Sequence, residues 1–194
     1  MFQNHRNSRG FTLVEMAIVL IVIGIILGMV FKGRQLIDGA KVKSLQSNYT
    51  KIEAAVNTFY DRYGYYPGDG CQNNSNPSTP ADCGDPKDGR ISNSNEFSAF
   101  WKLLINTGIL TTAERKTVSG TEWNITYATY GGKTGNWLYA NIDGRYICTL
   151  DQKIDDGNWN SGLIQVTNSN AYDDTTDCWA LQSTPLSARL YLLP

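Results

Sequence analysis

The run FTLVEMAIVLIVIGIILGMVF, Phe11–Phe31, is apolar throughout except for one charge, Glu15. Its 21 residues make a helix of about 31 Å, close to the thickness of a hydrocarbon core. A carboxylate inside such a run is costly, and such residues tend to be functional. The ten residues before it are polar and basic, with His5, Arg6 and Arg9 and no acid. They precede the apolar run, whereas an ordinary secretory signal places its small-residue cleavage site after that run.

The helical pattern continues beyond Phe31. Val42, Leu45, Tyr49, Ile52, Val56, Phe59 and Tyr63 recur at alternating spacings of 3 and 4, an apolar stripe of helical period. Lys41, Lys43, Gln46, Asn48, Lys51, Glu53 and Asn57 supply a wet opposite face. One helix is therefore predicted from about Phe11 to Tyr63, apolar all round in its first half and amphipathic in its second. Gly64 and Pro67 end it.

From residue 64 the pattern changes. YYPGDGCQNNSNPSTPADCGDPKDGR reads as a long polar loop. SNEFSAFWKLLINTG reads as a short helix with Ser94 as N-cap, a buried face of Phe97, Trp101, Leu104 and Ile105, and Gly108 as its stop signal. TEWNITYATY alternates Trp123, Ile125, Tyr127 and Thr129, a half-buried strand. NWLYANIDGRYICTL reads as a hairpin around Asp143-Gly144. GLIQVTN and the terminal ARLYLLP look like further strands. The class is α+β: a long N-terminal helix packed against a four- to five-stranded antiparallel sheet, which buries both stripes. The divisions are 1–10, a leader; 11–31, the apolar half-helix; 32–63, the amphipathic half; and 64–194, the head.

Charge and composition narrow the function. Lys+Arg number 17 against 18 Asp+Glu, so no basic excess points to nucleic acid, and no specific nucleic-acid partner is predicted. His5 is the single histidine. Should the leader be removed, Ser-His and Cys-His catalysis and His-ligated zinc go with it. No nucleophile motif stands out, and the chain is read as a non-enzyme. Four cysteines, Cys71, Cys83, Cys148 and Cys178, form no C-x-x-C. Behind a membrane segment, an even count suggests two disulfides in an oxidising compartment. Three pairings are open; Cys71–Cys83 with Cys148–Cys178 is favoured, since each closes a loop within one sub-region.

RGFTLVEMAIVLIVIGIILG, Arg9 to Gly28, resembles the N-terminus of type IV pilins and of type II secretion pseudopilins. A weaker likeness runs on to Tyr66-Pro67-Gly68-Asp69. The resemblance implies a bacterial inner-membrane precursor with a single span. A prepilin peptidase would cut it after Gly10 and methylate the new amine of Phe11. It implies that Glu15 is needed for ordered polymerisation with identical or related subunits. Cleavage creates a cation on Phe11, and in a staggered bundle Glu15 of one subunit can face the amine of a neighbour. Such a pair adds little net stability, but leaving one member alone is costly, so it sets register. Gly24 and Gly28 form G-x-x-x-G, which permits close helix contact. In type IV pilins the glycine matching Gly24 begins a stretch that unwinds on assembly and usually ends at a proline. Lys32 stands at that place here, which implies a straighter helix. The cations after the span, Lys32, Arg34, Lys41 and Lys43, outnumber Arg6 and Arg9 and run against the expected N-in, C-out topology.

Two carboxylate groups are calcium candidates: Asp151, Asp155 and Asp156, and Asp173, Asp174 and Asp177. Major pseudopilins bind calcium in a C-terminal loop, but their ligand pattern is not matched here. GDPKDGRISNSNEF resembles an EF-hand loop through Asp88, Gly89 and Ile91, but Gly84, Pro86 and Asn95 stand at positions 1, 3 and 12, and Glu96 comes one place late. No other cofactor is expected. The reading is a structural subunit of a type IV pilus-like filament on the cell surface. The alternative is a pseudopilin in a periplasmic pseudopilus that serves protein export. The Cys-bounded loops and the lack of an Asp-Pro-Trp-Gly-type segment favour the pilus.

Overall fold

A computed structural model of the chain describes residues 11–84, 86–167 and 171–193. Helix α1, Leu13–Tyr63, is continuous over 51 residues. It runs through Gly24, Gly28 and Lys32 without interruption. The chain forms two compact units, divided between Ala40 and Lys41. In the first, every residue from Phe11 to Phe31 is exposed. An apolar surface of that extent calls for lipid or for other helices around it.

The second unit has its own core. Along α1 the stripe buries Val42, Leu45, Ile52, Ala55, Val56 and Phe59. Tyr49 is half-buried, and its hydroxyl donates to the Tyr191 carbonyl at 2.5 Å. Tyr63, expected in the stripe, is exposed; in the last turn its ring rests on Phe59, centroids 4.6 Å apart. Asn48 departs from the predicted wet face. Its amide donates to the Glu114 carbonyl at 2.7 Å and its oxygen accepts from the Trp123 indole. Gly64, at φ 78°, donates its N–H to the Tyr60 carbonyl and closes α1.

The loop that follows is stapled by the Cys71–Cys83 disulfide. Its anchor is Asp69, a buried carboxylate that accepts from the backbone N–H groups of Asp88 and Gly89 at 3.2 and 2.9 Å. Burial raises the Asp69 pKa, and those two bonds oppose the rise. Helix α2, Ser94–Asn106, starts one position earlier in function than predicted. Asn93 is the N-cap and Glu96 completes the capping box, leaving Ser94 as the first helical residue. The buried face is also turned. Ala99, Phe100, Trp101, Leu103 and Leu104 are buried, while Phe97 and Ile105 are only partly covered.

Strands β1, Asn124–Tyr130, and β2, Lys133–Asp143, are antiparallel. Gly131 and Gly132, at φ 51° and 79°, connect them. Positive φ at both central residues is what a two-residue hairpin turn needs. The hairpin expected at Asp143-Gly144 is absent. There β2 ends and helix α3, Gly144–Ile154, begins. Asp143 is its N-cap, accepting from the Arg145 N–H at 3.0 Å. Tyr146, Ile147, Cys148, Leu150 and Asp151 turn to one buried face. Asp-Gly serves a helix start as readily as a hairpin, and the helical spacing after it decides.

Strands β3, Ile164–Val166, and β4, Pro185–Leu193, complete a four-stranded antiparallel sheet of order β1-β2-β4-β3. Ile125, Leu138, Ala140, Ile142, Ile164, Val166, Ala188 and Leu190 are buried and share a core with α1. Cys148 on α3 is bonded to Cys178, which begins a 3-10 turn at Cys178–Ala180. The architecture is a long N-terminal helix whose second half packs on an antiparallel sheet.

Candidate functional site

The chemistry of the N-terminus is built by Thr12 and Glu15. Oε2 of Glu15 accepts from the Thr12 N–H and the Thr12 hydroxyl, each at 2.9 Å, and the Glu15 N–H donates back to Thr12 Oγ1 at 3.2 Å. This is a Thr-x-x-Glu capping box, and it satisfies donors that the first turn of a helix leaves open. The positive end of the helix dipole also favours a carboxylate there. The single chain thus supplies Glu15 with partners of its own. Pairing with a neighbour's amine would be an exchange of partners for a carboxylate that already has two donors. Nothing in the apolar run marked Thr12 for this role except its spacing of three from Glu15.

Phe11 is exposed beside this box. Gly10 and the basic leader lie outside the described residues. Gly24 and Gly28 lie one turn apart in the exposed apolar stretch, and a methyl group built on either would meet no atom within 4 Å. Their side of α1 is open to a second helix.

The carboxylate clusters separate. Oxygens of Asp151, Asp155 and Asp156 come within 4.8 Å of one another. Asp151 is fully buried at the end of α3, accepting from the Tyr172 hydroxyl at 2.9 Å and the Gly157 N–H at 3.2 Å. Burial pushes its carboxyl up to about 7; Asp155 and Asp156 add to the rise, and the bonds from Tyr172 and Gly157 oppose it. Asp155 accepts from the Leu163 and Ile164 N–H groups, and Asp156 from the Asn158 N–H and the Ser161 hydroxyl. An oxygen-only set suits a hard cation such as calcium, although these oxygens already serve as turn acceptors. Asp173, Asp174 and Asp177 do not join this trio. Asp173 accepts from Thr175 and Thr176, whose bonds lower its pKa. Asp177 caps the 3-10 turn through the Trp179 N–H.

The family described as the prokaryotic N-terminal methylation motif matches residues 5–31. The chain carries that motif. Together with the helix-on-sheet architecture, it supports a pilin or pseudopilin subunit. A search of curated proteins finds no match. Among solved structures, that of the major type IV pilin PilA1 from Clostridium difficile aligns over 81% of this chain and 98% of its own, with 15% identity and a TM-score of 0.39.

Proposed function

We propose that this chain is a structural subunit of a type IV pilus-like filament. It is made as a single-span inner-membrane precursor, cut after Gly10 by a prepilin peptidase, methylated on Phe11 and polymerised through α1. The observation that carries the reading is the methylation motif placed at the head of a wholly exposed apolar half-helix. In a filament those apolar halves pack together and the heads form the outer surface. Glu15 then trades the donors of Thr12 for the Phe11 amine of a neighbour, which fixes axial register. The chain is structural on this reading, with no catalytic role.

The test is mass spectrometry of the mature N-terminus together with electron microscopy of sheared surface filaments. The expected species begins at Phe11 and carries one added methyl group. A mature chain that begins at Met1 overturns the proposal. One observation favours a second reading, a pseudopilin of an export machine: α1 continues unbroken past Gly24 and through Lys32, the place where the resemblance to type IV pilins implies a proline. Filaments that stay in the periplasm, with a secretion defect in the deletion strain, would select that reading.

The proposal includes calcium at one place, Asp151, Asp155 and Asp156. Calcium is expected to raise the melting midpoint of the head, and Asp155→Asn to abolish the rise. A midpoint indifferent to calcium leaves the trio as a hydrogen-bonded turn.

A further inference from the structure

Among the described residues, one buried side-chain polar atom has no hydrogen-bond partner: the indole Nε1 of Trp101 on α2. The residue is 97% buried. Orphaned buried N–H groups are rare, because the missing bond costs the full desolvation of the donor. The other buried indole donors show the contrast: Trp123 donates to Asn48, and Trp137 to the Ala128 carbonyl at 3.1 Å.

Trp101 also lines a pocket of about 320 Å³ together with Ser98, Lys102, Ile105, Asn106, Thr112 and Arg115. No carboxylate is in that wall. The Arg115 guanidinium lies over the indole ring, 5.3 Å from its centroid, pairs with Glu122 at 3.2 Å and donates through Nε to the Trp123 carbonyl at 3.3 Å. Lys102 is exposed on the rim, and among the described residues it has no ion-pair partner. Trp101, Lys102 and Arg115 thus line one concavity, and the indole donor is already desolvated. What such a wall lacks is an acceptor with negative charge.

We propose that this pocket seats a carboxylate group, with Lys102 and Arg115 supplying charge and the Trp101 indole donating a hydrogen bond. The nitrogen is covered in the free chain, so seating requires the pocket wall to open and admit the oxygen. The carboxylate has two sources: a small free acid, or an acidic side chain of a neighbouring subunit. The inference does not depend on filament formation.

Indole N–H resonances of the isotopically labelled full chain in detergent micelles test it. The chain has five tryptophans, and Trp101→Phe assigns the relevant signal. Titration with acetate and glutarate, at ionic strength held constant with chloride, is expected to move the Trp101 signal saturably. Lys102→Gln should weaken that response roughly threefold, as for one exposed charge. A signal that stays still with free acids but moves when filaments assemble without added acid identifies the neighbour as the source. A signal that moves in neither case, or equally with chloride, overturns the proposal. If Trp101→Phe lowers solubility, Lys102→Gln alone still reports through the wild-type Trp101 signal.

Discussion

At the residue scale, Glu15 has two separable properties, its charge and its place in a capping box. Substitution separates them. Glu15→Ala removes both and is expected to leave cleavage before Phe11 intact while abolishing filaments. Glu15→Gln keeps the shape, and most of the cap, but not the charge. It should assemble poorly, because an amide cannot neutralise a neighbour's amine. Thr12→Val keeps the charge and loses the hydroxyl, so filaments should persist. Filament yield by electron microscopy, with N-terminal mass on the same samples, checks all three. Wild-type assembly by Glu15→Gln would mean that the cap, not the ion pair, is what assembly needs. Asp151 offers a second test. Its folded value near 7 stands above the ordinary aspartate value of 3.8, so between about pH 4 and pH 7 the folded chain holds a proton the unfolded chain has lost. Stability must therefore fall as pH rises through that window, by at most about 1.4 kcal/mol per pH unit. Denaturant titrations at pH 5 and pH 7.5 should show the fall, and Asp151→Asn should remove it.

At the element scale, the short helices and their tethers carry measurable stability. Asn93→Ala removes the acceptor for the Asn95 and Glu96 N–H groups, each at 3.0 Å, and should cost about 1 kcal/mol. Cys148→Ser with Cys178→Ser opens a loop closed over 30 residues and should cost roughly 2–4 kcal/mol in denaturant unfolding. These elements also show what a sequence discloses. The α1 stripe was legible because its 3-4 spacing is local and persists for more than twenty residues. The strands were legible from alternation. Asp143-Gly144 misled because one dipeptide serves both a hairpin and a helix start, and only the face formed by Tyr146, Ile147 and Leu150 decides. The turn between β1 and β2 falls instead at Gly131-Gly132. Asn48 and Asp69 were illegible for a different reason. Their partners lie 66 and 75 residues away for Asn48, and 19 and 20 away for Asp69, so no local pattern announces them. Thr12 was legible in principle from its spacing to Glu15, but a membrane-like run draws attention to its charge and not to its cap.

At the scale of the whole molecule, the division between Ala40 and Lys41 predicts that folding and assembly are separable. Every buried residue among those described lies at or beyond Val42, so residues up to Ala40 contribute nothing to the core of the head. Both disulfides and all four strands lie in the second unit as well. A chain that starts at Gln35 keeps about two free turns of α1 ahead of Val42, enough to absorb the fraying of a new helix end. It loses the exposed apolar stretch and with it the demand for lipid or neighbouring helices. Such a chain is expected to be soluble without detergent, to be monomeric, and to unfold in one cooperative step at the midpoint of the full chain in micelles. It should not form filaments, and it should not enter those of the full chain. Circular dichroism melts and sedimentation decide the first half, and co-expression with microscopy the second. A truncated chain that aggregates or melts well below the full chain would show that the apolar half-helix supports the head as well as joining subunits.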